Sequence, residues 1–441
     1  MPPTILRATT TQASPDGPSI DARQDTNHRA PSPTRGAVVT EVLKVLVIGP
    51  GAAGASDALR FEAMIPELAR HAIELVSWTP GDPTAEVDPF GAMEAAVGWS
   101  DVLVLRRHYR TWHACYACGF RTLVHVEARV HGTMAGHSVV PAPYFAVRAL
   151  VGLLEAEPGA LGKRAIVYDT DDDIFAADLP SGAEDILERD LVERMLGLAD
   201  LVTAATPVLA ERLAIRTHAP VRVIRNALDP SWYEAARPAA TAQMPGEPRL
   251  VYHGATVRLR DYEIARRAVD AVARDHATLR RVWLGGDPAR LAGVVDEVRP
   301  WVRGAREFAA ALGAARPDIG LVPLEDTPYN RARSELHWLE YALAGAPAIV
   351  SGVDGPGPYD VVRDGVDGLV ACSRSDWERH LRSLVASPDL CLELAARARE
   401  RVLAEYTVVT RAPEWVDAYR WAAEHAGPGR ARTASGAGRA V

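Results

Sequence analysis

Twice along this chain, short runs of aliphatic and β-branched residues alternate with stretches of helical periodicity, and few folds accommodate such an alternation. The first series opens with a buried strand at Val42–Ile48, a helix from about Asp57 to Arg70, and a strand at Ile73–Trp78. Further strands are predicted at Val102–Leu105, Ala165–Tyr168, Leu201–Ala204 and Val221–Ile224, with helical spacing between them, notably at Ile186–Leu198. A Pro- and Ala-rich stretch from Pro230 to Pro248 then precedes a second series, which starts at Arg249-Leu250-Val251-Tyr252. A helix at Asp261–Arg274, a strand at Val282–Gly285 and helices at Leu390–Glu405 and Ala412–Ala423 continue it. Strands separated by helices pair in parallel, so the pattern predicts an α/β protein with two Rossmann-like halves.

Composition narrows what such a protein does. The length of 441 residues suits two or three domains, and 48% hydrophobic residues suffice for sizeable cores. A net charge of -8 argues against a general nucleic-acid binder. Lys44 and Lys163 are the only lysines, so any phosphate must be neutralised by arginine, histidine or helix N-termini. Residues 1 to about 38, and those after Gly427, are rich in small, polar and Pro residues and read as disordered tails. There is no signal-peptide core and no run of about eighteen apolar residues, so a soluble, cytoplasmic protein is expected, with peripheral membrane contact left open. Cys115, Cys118, Cys372 and Cys391 are too few and too scattered for a disulfide framework. The oligomeric state is not legible.

The densest signal lies between Asn330 and Ser351, which read NRARSELHWLEYALAGAPAIVS. Leu336, Trp338, Leu339 and Leu343 give helical spacing, Gly345 the stop, and Ala348-Ile349-Val350 a buried strand. Glu340 is the lone acid in that apolar stretch. A strand ending on a proline, Asp318 to Leu324, comes before it, and Val361 to Val370 breaks at an Asp-Gly turn into a last strand. This order resembles the nucleotide-sugar site of retaining GT-B glycosyltransferases, the group 1 or family 4-like enzymes, in which an E-x7-E pattern precedes G-x-P and a strand. Leu336, Leu339, Glu340, Gly345 and Pro347 match as they stand, while Ala332 occupies the place of the first acid.

The resemblance runs from about Val42 to Ala423 and implies two Rossmann-like domains facing a central cleft. Residues 39–235 would form the acceptor domain and 249–410 the nucleotide-sugar domain, with a helix at 411–426 crossing back and tails at 1–38 and 427–441. The implied activity is transfer of a sugar from a nucleoside diphosphate to an unidentified acceptor hydroxyl, with retention, in bacterial glycan or glycosylated natural-product biosynthesis. No metal and no cofactor beyond the nucleotide sugar itself is expected.

By the same resemblance, Glu340 would accept the ribose hydroxyls. Arg258 or Arg260, following Gly254 in Tyr252-His253-Gly254, would neutralise the diphosphate, and the backbone around Arg333 and Ser334 would cap a phosphate at a helix start. His337 stands where many relatives carry Lys. Gly51, in the Gly-rich first loop, would approach the diphosphate, and Asn226, followed by Ala227 where relatives carry Gly, would hold the interdomain hinge. Asp171 and Asp172 would face the acceptor cleft, although helix capping or solvation explains them equally well; His108, at a strand end, is a candidate on its own chemistry for orienting the acceptor or the transferred sugar, a surface role being the commoner outcome for such a histidine. A methyl group at Ala332 cannot hold a sugar hydroxyl. Either the donor is a deoxygenated sugar, or Glu335 or Asn330 takes over; Glu335→Gln is expected to matter less than Glu340→Gln.

Three rival readings rest on other residues. Gly49-x-Gly51-x-x-Gly54 fits a dinucleotide fingerprint and would make a flavin or nicotinamide oxidoreductase, but the second strand ends on Ser77-Trp78-Thr79-Pro80, without the acid that holds a ribose. His113-x-Cys115-x-x-Cys118 could open a zinc site with His125, His131 or His137, yet no second C-x-x-C closes it. Ala332 motivates the third, a non-catalytic module that binds sugar nucleotides.

Overall fold

The computed structural model describes residues 41–48, 59–78, 95–106, 142–157, 162–179, 189–234, 246–302 and 304–426. They form two six-stranded sheets, parallel throughout. The first contains β1 (Leu43–Ile48), β2 (Ile73–Trp78), β3 (Val102–Arg106), β4 (Ala165–Thr170), β5 (Leu201–Ala204) and β6 (Val221–Val223), in the order β2-β1-β3-β4-β5-β6. The second contains β7 (Arg249–His253), β8 (Arg280–Leu284), β9 (Glu297–Arg299), β10 (Ile319–Val322), β11 (Ala348–Ser351) and β12 (Leu369–Ala371), in the order β12-β11-β10-β7-β8-β9.

The near-continuous apolar strands follow from burial on both faces. Leu46, Ile48, Leu103, Leu105, Ile166 and Tyr168 point into one core, and the alternate residues Val45, Val47, Val102, Val104, Ala165 and Val167 into another. The second sheet divides in the same way, with Val251, Val282, Val322 and Val350 on one side and Leu250, Trp283, Leu321 and Ile349 on the other.

Two crossings join the halves side by side. Leu228, leaving the first half, exchanges backbone hydrogen bonds with the segment that returns to it: its N–H donates to the Tyr406 carbonyl at 3.0 Å and its carbonyl accepts from the Val408 N–H at 3.0 Å. The returning segment becomes the helix Val408–His425, opened by a capping box between Thr407 and Thr410. Trp415, Tyr419 and Ala422 of that helix lie in the core of the first half, with the Trp415 ring 5.5 Å from that of Phe61 and 4.9 Å from the Arg60 guanidinium. No helix among the described residues is long and apolar enough to cross a membrane.

One contact seats the helix that carries Glu340. Gly320, on β10, has no side chain, and a Cβ there would come within 2.5 Å of the Tyr341 ring. The ring therefore lies directly on the sheet, and its hydroxyl donates to the Val251 carbonyl at 2.6 Å. Gly345 ends this helix, Leu336–Ala344, in the left-handed conformation at φ 84°, which glycine adopts without steric cost.

The C-terminal helix ties the chain together through its aromatic face, so Trp415→Ala is expected to destabilise the protein by about 3–5 kcal/mol. Urea unfolding followed by fluorescence measures this; a loss below about 1 kcal/mol would mean that the helix contributes little to the first half.

Candidate functional site

Glu340 sits at the C-terminal end of β7, on the edge at which open parallel sheets bind ligands. Its carboxylate faces His253, the last residue of β7, with Oε2 at 3.3 Å from Nε2. The His253 ring lies 4.1 Å from that of His337, 4.9 Å from Tyr341 and 5.1 Å from Phe308. Burial pushes Glu340 up to about 8, partly offset by Arg333, and pushes His253 down to about 3, with Arg333 adding to the effect. His337 is held well below the ordinary histidine value by burial first, then by His253, Arg333 and Arg258. The His253–Glu340 contact is therefore a meeting of two neutral groups at neutral pH and not an ion pair, because neither can be charged cheaply away from water.

The positive charge comes from two arginines. Arg258 lies over the Tyr329 ring at 5.6 Å, with Nη1 at 3.4 Å from Asn330 Oδ1 and 3.7 Å from Asp261 Oδ2. Burial works against the charge on Arg333, but Tyr329, Asp172, Tyr359 and Asp261 together raise it above the ordinary arginine value. Arg260, the other candidate from its loop, turns outward to Glu325 at 2.9 Å with a side chain 82% exposed. Of the Arg258–Arg260 pair, only Arg258 is aimed at the cleft. Glu335, the N-cap of the Leu336–Ala344 helix, makes no side-chain cap hydrogen bond, so the first-turn N–H groups are not claimed by a capping side chain.

The segment before that helix is held by the first half. Thr206 Oγ1 donates to the Ala332 carbonyl at 2.8 Å, and Asn226 Nδ2 donates to Ser334 Oγ at 3.0 Å. The Asp178 carboxylate accepts from the Tyr329 N–H at 3.0 Å, and Arg225 pairs with Glu335 at 3.0 Å. Glu335 has no exposed side-chain surface, and its removal would leave Arg225 without its partner at the domain boundary. Asn330 gives its amide to Asp261 at 3.1 Å and to the Glu325 carbonyl at 3.0 Å, so both of its N–H groups are engaged within the loop. Ala332 is fully buried against the core of the first half. Its methyl group fits there, where a carboxylate would be desolvated.

Gly254 follows His253 directly, and its carbonyl accepts from Trp283 Nε1 at 2.7 Å. Gly51 and His108 lie outside the described residues, as do Cys115 and Cys118. The acidic run after β4 divides by role. Asp169 is buried between Arg60 and Arg106 and accepts from Thr203 Oγ1 at 2.7 Å; Asp171 pairs with Arg106 at 3.0 Å, and Asp173 with Arg212 at 2.6 Å. Asp172 acts across the cleft on Arg333. Sequence reasoning missed His253, whose only signal is its place at the end of the first strand of the second series.

Residues 260–417 match the model of a family described as glycosyl transferase-like. No curated protein matches the chain. Among solved structures, the Anabaena protein HepE in complex with UDP is 13% identical at a TM-score of 0.52, over 85% of this chain and 98% of that one. Sucrose-phosphate synthase from Thermosynechococcus elongatus is 15% identical at a TM-score of 0.53, over 86% and 98%. An alpha-glucosyltransferase in complex with UDP-glucose and DNA containing an abasic site is 10% identical at a TM-score of 0.57, over 86% and 99%. The chain thus has the GT-B fold, and part of its second half is similar to the glycosyl transferase-like family. Nothing in these likenesses favours the flavin or nicotinamide alternative.

The raised value of Glu340 has a consequence for stability. The unfolded carboxyl ionises near the ordinary value of 4.5, the folded one near 8, so the folded state holds the extra proton in between. Stability is therefore lost as pH rises from about 4.5 to about 8. In ligand-free protein, Glu340→Gln is expected to match the wild type at about pH 5 and to exceed it by roughly a few kcal/mol at about pH 9. Parallel stability profiles for the two proteins would show that the carboxyl is already ionised in the neutral range.

Proposed function

We propose that the protein transfers a sugar from a nucleoside diphosphate donor to an acceptor hydroxyl, with retention of configuration and without a metal on the diphosphate. The observation that carries this reading is the grouping of Glu340, Arg258, Arg333 and the uncapped first turn of the Leu336–Ala344 helix at one strand edge of the glycosyltransferase domain. A nucleoside diphosphate has a complementary layout. Glu340 accepts from the ribose hydroxyls, while Arg258, Arg333 and the helix N–H groups hold the phosphates. The same positive groups stabilise charge on the departing diphosphate as the sugar leaves, so no protein nucleophile is required. On this reading Asp172, which lies on the first half and acts electrostatically on Arg333, meets the acceptor.

Neighbours of the same fold contain UDP or UDP-glucose, which supports a uridine nucleotide as the first donor to test. The burial of Ala332 against the first half leaves the sugar without a carboxylate from that position and supports a donor lacking a hydroxyl there. Much better turnover with UDP-glucose than with deoxysugar donors would remove that part of the reading. Chelation by EDTA is expected to leave turnover intact; restoration of lost activity by magnesium would assign a metal role to the acids after β4.

Removing a charged hydrogen-bond partner costs about 1.5–3 kcal/mol. Glu340→Gln is therefore expected to weaken nucleoside diphosphate binding roughly ten- to a hundredfold, measured by calorimetry at about pH 8.5, where the wild-type carboxyl is ionised. Unchanged affinity in a variant that unfolds cooperatively and is at least as stable as the wild type would overturn the assignment. Arg258→Ala should likewise weaken binding roughly tenfold or more, and Arg260→Ala less than threefold or so, because only the first faces the cleft. Equal losses would mean that the loop rearranges on binding.

A further inference from the structure

His253 has no part in holding the donor, yet it is buried at the base of the cleft. It ends β7, while His337 and Glu340 lie three residues apart on the Leu336–Ala344 helix and so share a face. Each of the three side chains offers one ligand atom, and these atoms lie within 4.8 Å of one another. His253 Nε2 and Glu340 Oε2, 3.3 Å apart, are both buried, and neither has a hydrogen-bond partner among the described residues. Two buried atoms that lie 3.3 Å apart without forming a hydrogen bond, next to a third potential ligand, indicate a missing binding partner.

We propose that His253, His337 and Glu340 form a binding site for a divalent transition-metal ion of the zinc class, with its fourth coordination position open to the cleft. Two imidazoles and one carboxylate are a donor set suited to such an ion, whereas magnesium and calcium call for oxygen ligands. Ligand atoms at about 2.0–2.2 Å from a tetrahedral ion stand about 3.2–3.6 Å apart, so the His253–Glu340 pair is already at ligand spacing. The third atom closes the set with a side-chain shift of roughly 1 Å. The framework is rigid where it needs to be: the helix is seated by Tyr341 on Gly320 and the Val251 carbonyl, and His253 ends a strand in the middle of the sheet. His337 is only half-buried and gives the ion its way in. The charge on Arg333 opposes the ion and limits the affinity. Because Glu340 is also the proposed ribose acceptor, metal and nucleotide exclude one another; that corollary, unlike the site itself, rests on the donor reading.

The test uses the full chain with Cys115→Ser, Cys118→Ser and Cys372→Ser, which leaves only the buried Cys391 thiol. Zinc is titrated by calorimetry without nucleotide, and cobalt(II) by its visible absorption, which becomes intense when the ion is four-coordinate. One zinc per chain and a four-coordinate cobalt spectrum are expected. His253→Gln and His337→Gln should each weaken zinc binding roughly tenfold or more and abolish that spectrum. If His253→Gln does not fold, the half-buried His337 decides alone. No binding by the parent, or a zinc affinity and cobalt spectrum unchanged by His337→Gln, would overturn the proposal. Neither result bears on the donor reading, which is tested separately by nucleotide binding to Glu340→Gln in chelated buffer.

Discussion

Glu335 has no exposed side-chain surface, and Arg225 of the first half is the group that balances its charge. A carboxylate withdrawn from water this far must keep its partner, since breaking such a buried pair costs about 3–5 kcal/mol. The pair clamps the start of the Leu336–Ala344 helix against the other domain. Ser334, Ala332 and Tyr329 are fastened to the same side by Asn226, Thr206 and Asp178. The second domain holds the segment from within, through Asp261 and Asn330. One short stretch of chain thus sets both the spacing of the two halves and the position of the helix start. Any movement that opens the cleft must either break these contacts or carry the segment along.

The two halves treat buried charge differently. In the first, Asp169 is surrounded by the guanidiniums of Arg60 and Arg106 and by Thr203, so burial is compensated by ion pairs and hydrogen bonds. Arg60 also reaches the Ile224 carbonyl and Asn226, which carries the order of that cluster to the residue that holds Ser334. In the second, Glu340, His253 and His337 have no such partners among the described residues, and burial keeps them neutral. A cluster held neutral by desolvation changes state when a ligand brings charge or hydrogen-bond donors to it. The compensated cluster suits a scaffold, the uncompensated one a binding site.

Much of the architecture was legible in the chain because parallel strands buried on both faces are written as continuous apolar runs. Ile73–Trp78 and Leu201–Ala204 have the ends that periodicity gives them, and the Gly345 stop and the Ala348–Ser351 strand follow from local chemistry. Less legible were β9, whose Glu297-Val298-Arg299 has too few apolar residues to stand out, and the Ala-rich helix Ala305–Ala315. At the site, Glu340 was conspicuous as an acid among apolar neighbours. His253 was not, because a histidine at a strand end looks like many others until the helix that faces it is in place.

The sequence by itself determined the two parallel α/β halves, the place of the Glu340 helix and the reliance on arginine, since these depend on local periodicity, stop signals and composition. Only the tertiary structure decided which of Arg258 and Arg260 faces the cleft, that Glu335 spans the domain boundary, and that His253 meets His337 and Glu340. Those outcomes depend on contacts between residues up to about a hundred positions apart, whose geometry no local pattern encodes. They also depend on burial, which turns an acid and two histidines of ordinary type into neutral groups only once the surrounding chain has removed the water.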